Sequence, residues 1–235
     1  MADRLPDRWP PQAALLFGPA DDPFRDDDGG FLADFFSEIL HQDTCLPGTA
    51  DGVPLLAALA VDDRVPARFR FTVVDLLFRT ATVTDRRRAE SWPAAPRHAD
   101  AGSEARARSA VRVHTPDLLA RWGVECPAVQ LALAGLAVAF PTPRTLPALT
   151  PRLRSFVQRY ARDTDIGDYV RFVLVLAAQD DARTLDATEN FTAVRRPATP
   201  RGAPTRARAL HLLGQMLTAA GQALAPIKSA PARRR

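Results

Sequence analysis

From Phe31 onward, apolar residues return at helical intervals. Positions 31, 32, 35, 36, 39 and 40 trace one greasy face, which predicts a helix over FLADFFSEILHQ. A polar turn with Pro47-Gly48 follows. A second helix is then expected over GVPLLAALA, with Pro54 in its first turn, where a missing N–H costs nothing. A third opens at Pro66 and carries Phe69, Val73, Leu76, Leu77 and Thr80 on one side. Further helical patterns run at about 104–122, 127–140, 146–161, 168–179 and 182–189, and a last amphipathic one at 205–224. No alternating strand pattern bounded by turn residues stands out. Closely spaced one-sided helices predict an all-α chain of stacked antiparallel helix pairs.

The segments between and around the helices divide the chain. Residues 1–30, with five prolines and Asp26-Asp27-Asp28-Gly29-Gly30, read as an irregular acidic leader. A helical repeat domain is expected over 31–194, interrupted by a long polar loop at 85–102 that contains Arg86-Arg87-Arg88, Pro93, Pro96 and Gly102. A Pro/Arg linker at 195–204, the terminal helix at 205–224 and a basic, disordered tail at 225–235 complete the division.

His41–Ala60, HQDTCLPGTADGVPLLAALA, resembles a bacterial group of HEAT-repeat-like proteins. In these a turn reading His-Gln-Gly-Thr-x-x-x-Ala-Thr precedes a helix reading Ala-x-Pro-Phe-Leu-x-x-Leu-Ala. His41, Gln42, Thr44, Thr49, Val53, Pro54, Leu56, Leu59 and Ala60 match or nearly match that pattern, whereas Asp43 replaces its glycine and Leu55 its phenylalanine. The stronger likeness spans Phe31–Ala81. It implies a HEAT/armadillo-like α-solenoid that serves as a binding surface, with no catalytic residues to transfer. The helix-opening points Pro66, Pro127 and Asp168 lie 61 and 41 residues apart. Excising the 85–102 loop brings the first interval to about 40, near the HEAT period.

Composition adds two constraints. Apolar residues make up 46% of the 235, enough for a packed core, and the richness in alanine and leucine favours helices. Of 31 basic residues all but Lys228 are arginine. This usage, with abundant Ala and Pro, fits a GC-rich genome, so the high pI of 9.8 is discounted as a sign of nucleic acid. Charge is nevertheless polarised. Residues 1–40 hold nine acids against three arginines, a net of −6, whereas residues 195–235 hold nine bases and no acid, a net of +9. Cys45 and Cys126 form no CxxC pair and are expected to be reduced, partly buried thiols in a cytoplasmic protein. No signal-like or membrane-length apolar run appears, so no membrane association is expected.

Candidate chemistry is sparse. His41-Gln42-Asp43-Thr44-Cys45 holds the ingredients of a thiol nucleophile, but sequence neighbours on a turn rarely align as nucleophile and base. His41 is better placed to close the preceding helix, with Thr44 and Thr49 satisfying backbone groups of the turn. The acidic run at Asp21–Gly30 fails the calcium-loop spacing, since phenylalanine stands at two ligand positions, Phe24 and Phe35. His41, His98, His114 and His211 are too scattered for a structural zinc site, and no Gly-rich nucleotide loop or GxSxG is present. The expectation is therefore no enzyme, no cofactor and no metal. A protein partner is expected, bound through Arg86, Arg87, Arg88 and Trp92, because arginine and tryptophan dominate binding hot spots. A nucleic-acid-binding HEAT-like protein, including one that acts on damaged DNA, is the less favoured alternative. Aromatic residues among the arginines are too few to signal stacking on bases.

Overall fold

A computed structural model of the chain describes residues 39–41, 43–65, 67–97, 99–159, 164–195, 200 and 202–224. The acidic leader, most of the helix expected over 31–42 and the basic tail at 225–235 lie outside the described residues. Among those described the chain is all-α apart from one minute hairpin, with eight helices.

The hairpin pairs β1 (Leu40–His41) with β2 (Thr44–Cys45) antiparallel, Leu40 opposite Cys45 and His41 opposite Thr44. Two-residue strands leave no alternating pattern to read, and the helix expected through Gln42 gives way to strand at Leu40. The turn closes with Asp43 at φ 60°, a left-handed conformation that aspartate tolerates better than most side-chain-bearing residues. The buried Thr49 hydroxyl pins the exit: it donates to the Ile39 carbonyl at 2.6 Å and accepts from the Leu46 amide at 2.8 Å.

The helices are α1 (Thr49–Val61), α2 (Ala67–Ser91), α3 (Ala101–Ala120), α4 (Pro127–Ala139), α5 (Thr145–Arg159), α6 (Asp165–Ala177), α7 (Asp181–Arg195) and α8 (Thr205–Leu224). Several starts follow from capping chemistry. Asp100 accepts from the Gly102 and Ser103 amides at the head of α3, Thr164 accepts from Gly167 at the head of α6, and Pro127 opens α4. Helix α1 begins three residues earlier than expected, so Pro54 sits in its second turn, where it has no N–H for the carbonyl four residues back.

Helix α2 is the axis of the molecule. It packs against α1, α3, α4 and α8, and is buried on most of its circumference, from Phe69 through Val73, Leu77, Phe78 and Ala81 to Ala89. Helix α4, apolar all round, is buried without interruption from Leu131 to Ala139. Helix α8 returns from the far end of the sequence to pack on α2 and α4 as well as on α6 and α7, while α5 packs on α6. A strict repeat stack confines contacts to sequence neighbours. The return of α8 closes this bundle instead.

The connection expected at 85–102 is shorter. Helix α2 continues through Ser91, leaving only residues 92–100 between helices. Arg86, Arg87 and Arg88 are therefore helical, and the 40-residue interval obtained by excising that loop loses its basis.

Candidate functional site

The four residues expected to bind a partner do different things. Arg86 is only 6% exposed and grips Asp43 through both terminal nitrogens, Nη1 to Oδ2 at 2.6 Å and Nη2 to Oδ1 at 2.5 Å. This bidentate pair fastens the hairpin turn to α2. Arg87 donates to the Thr44 hydroxyl and to the Arg97 carbonyl, tying the hairpin and the 92–100 connection to the same helix. Arg88 is exposed and lies over the half-buried Trp92 ring, 5.5 Å from its centroid. A Cβ on Gly202 would stand 3.2 Å from Trp92 Nε1, so the indole also leans on the segment before α8. Arg86 and Arg87 thus hold the structure together, and Arg88 with Trp92 faces outward.

A cleft of about 420 Å³, lined mostly by polar side chains, lies between α2 and α8 and includes Asp43. Helix α2 contributes Arg79, Arg86 and Glu90, at i, i+7 and i+11 and hence on one face. Helix α8 contributes His211, Gln215 and Thr218, at i, i+4 and i+7. Arg79 donates from Nε to Asp75 at 2.9 Å and from Nη2 to the Thr218 hydroxyl at 2.6 Å. Asp75 is largely buried, and loss of hydration pushes its carboxyl above the usual range, with Arg79 opposing the shift. His211 Nδ1 sits 3.1 Å from Glu90 Oε1 without hydrogen-bond alignment, while its Nε2 lies 2.9 Å from the Gln215 amide nitrogen. That nitrogen meets an amide, not a hydroxyl or thiol. Sequence reading missed this constellation, although the two polar stripes are visible as helical spacings.

Two further arginine clusters cap and staple. Glu125, its side chain fully buried, receives Arg70 Nε and Nη2 at 3.2 and 2.9 Å on Oε2 and Arg121 Nε at 3.1 Å on Oε1; Arg121 also pairs with Asp63. This network joins the α1–α2 connection to the α3–α4 connection. Nearby, Trp122 is buried edge-on to Phe156 at 6.3 Å. At the C-terminus of α4, Arg108 and Arg206 both donate to the Ala139 carbonyl, at 3.3 and 3.1 Å, and Arg108 lies 4.9 Å from the Phe140 centroid. Burial, then the neighbouring Arg206 and Arg112, hold Arg108 below the ordinary guanidinium range against the pull of Asp85.

The Cys45 thiol is unreactive by environment. Cys45 and Cys126 are unpaired with each other, and burial, reinforced by Glu104 and Asp43, pushes the Cys45 thiol up to about 12 despite Arg86 and Arg87 nearby. The backbone of His41 lies in β1; its side chain and all of His98 fall outside the described residues. Among the described residues no three His, Cys, Asp or Glu side chains cluster to hold a metal, and no helix is long and apolar enough to cross a membrane. Comparison with family models, curated proteins and solved structures returns no match to this chain.

Proposed function

We propose that this chain is a non-catalytic helical scaffold that binds a protein partner, with HEAT-like pairing of its first helices. The observation that carries the proposal is the exposed Arg88 guanidinium stacked on Trp92 at the end of the central helix. Gly202 backs the indole, so a partner meets a pre-positioned aromatic and little ordering entropy is lost on binding. Exposed Pro93, Ala94 and Ala95 extend the surface. Asp43 supports the HEAT-like part: it holds φ 60° where the resembling pattern carries glycine. A cytoplasmic setting belongs to the same proposal and rests on the unpaired thiols. The opposed charges of residues 1–40 and 195–235 would steer the encounter.

The test is co-purification from the native host with wild-type, Trp92→Ala and Arg88→Glu chains, each checked for helicity by circular dichroism. A partner recovered with wild type and lost with both variants supports the reading. Equal recovery by all three removes this surface.

The Arg108, Arg112 and Arg206 cluster at the end of α4 favours a second reading, nucleic-acid binding. That reading expects oligonucleotide affinity to fall about tenfold or more between 50 and 200 mM salt in fluorescence anisotropy. Salt-independent or undetectable binding excludes it.

A further inference from the structure

The α2–α8 cleft does more than join two helices. Elsewhere the two helices meet through apolar surface: the buried Phe78 ring of α2 lies against α8, 3.4 Å from where a Cβ on Gly214 would stand. Placing charged side chains on the same seam forfeits hydration that a hydrocarbon contact would not. The seam is also opened locally. Gly214 carries no side chain where the Arg86 stem passes, 3.5 Å from the position a Cβ would take, so the arginine lies along α8 with space beside it.

Hydrogen-bonding capacity in the cleft is left over, and most of it is cationic. Arg86 gives both terminal nitrogens to Asp43, but its buried Nε has no partner among the described residues. Arg79 uses Nε and Nη2, and its Nη1 has no partner among the described residues. His211, 7% exposed, touches Glu90 without an aligned bond. Of the two carboxylates lining the cleft, Asp43 is engaged by Arg86, while Glu90 has only the unaligned contact with His211. What remains on offer is N–H donation toward an oxyanion. Exposed Gln215 and the outer oxygen of Glu90, whose side chain is 47% exposed, remain at the rim to accept from a hydroxyl. A cleft of about 420 Å³ is larger than a bare ion needs and falls in the size range of small-molecule sites.

We infer that this cleft binds a small hydroxylated organic acid, with its oxyanion (carboxylate or phosphate) against Arg79 and Arg86 and its hydroxyls toward Glu90 and Gln215. The cleft lining includes neither Arg88 nor Trp92, so either proposal survives the loss of the other.

Four probes decide it in titration calorimetry and thermal-shift measurements on the full chain: gluconate, glucose 6-phosphate, glucose and inorganic phosphate. Saturable heat and a raised Tm with gluconate or glucose 6-phosphate, and at least about tenfold weaker binding of glucose and of inorganic phosphate, support the inference. The stronger of the two acids distinguishes carboxylate from phosphate. Gln215→Glu, at an exposed position that leaves the core intact, adds a negative charge at the rim and should weaken the bound acid about tenfold. Arg79→Gln should do the same. No heat from either acid at millimolar concentration overturns the inference. So does glucose or inorganic phosphate binding as tightly as the acids, or unchanged affinity in Gln215→Glu.

Discussion

The two ends of α2 use arginine in opposite ways. Near its start, Arg70 meets the fully buried Glu125 and the Val65 carbonyl, and Arg121 completes the carboxylate's second oxygen. Each partner answers another, and the cluster acts as a fastening. Toward its end, Arg79 and Arg86 are fastened as well, to Asp75 and Asp43, yet each keeps a nitrogen without a partner among the described residues, and Arg88 faces outward over Trp92. Burial of a guanidinium therefore does not reveal its role. Whether its donors are exhausted does.

Several measurements sharpen that contrast. Removing the hub carboxylate with Glu125→Ala leaves two largely buried guanidiniums with only the Val65 carbonyl and the exposed Asp63, and urea unfolding should show a loss of about 3 kcal/mol or more. A loss below about 1 kcal/mol would mean that the first end is not a fastening. At the other end, Asp43→Ala should cost about 2 kcal/mol, because Asp43 is one-third exposed and Arg86 keeps access to the Arg79 carbonyl. Asp43→Asn, which retains the left-handed turn, should cost less than Asp43→Ala.

Between the two ends, Phe78 of α2 packs close to two helical glycines of different tightness. A Cβ at Gly135 would stand 3.0 Å from the Tyr169 hydroxyl and 3.3 Å from Phe78, and that hydroxyl is committed to the Leu131 carbonyl at 2.7 Å. Gly135→Ala should destabilise by about 1–3 kcal/mol. At Gly214 the nearest atoms lie at ordinary contact distance, 3.4 Å or more, so Gly214→Ala should stabilise by about 0.5–1 kcal/mol. The same sign for both substitutions would break the distinction.

Asp75 links the middle of α2 to the cleft and carries a pH signature. Burial raises its folded pKa above the ordinary 3.8, so the unfolded chain ionises it first. Its contribution is full below pH 3.8 and is lost as pH rises through the folded value. Asp75→Asn should flatten that part of a stability–pH profile, and an unchanged slope would remove the assignment. The smallest expected effect is that of Arg88→Ala, about 0.5 kcal/mol, seen chiefly as a shift in Trp92 emission.

Helix bodies were legible wherever apolar spacing was regular, as at Pro127–Phe140 and Thr205–Leu224. The ends were harder. Arg86-Arg87-Arg88 reads as solvent-facing because nothing local announces that Asp43, 43 residues earlier, waits for Arg86. Hairpin strands of two residues carry no period. Residue type alone singles out Arg88 and Trp92 as the surface to test, but it does not single out the cleft. Its two stripes become a site only because α8 returns to α2, and Arg79 and Thr218 meet across 139 residues.

That long return also sets a timetable for synthesis. Helix α2 emerges from the ribosome well before α8, and until residues 205–217 follow, the flank of α2 around Phe78 that packs on α8 has no cover. Nascent chains arrested before that stretch will expose a greasy seam, resist compaction and recruit chaperones.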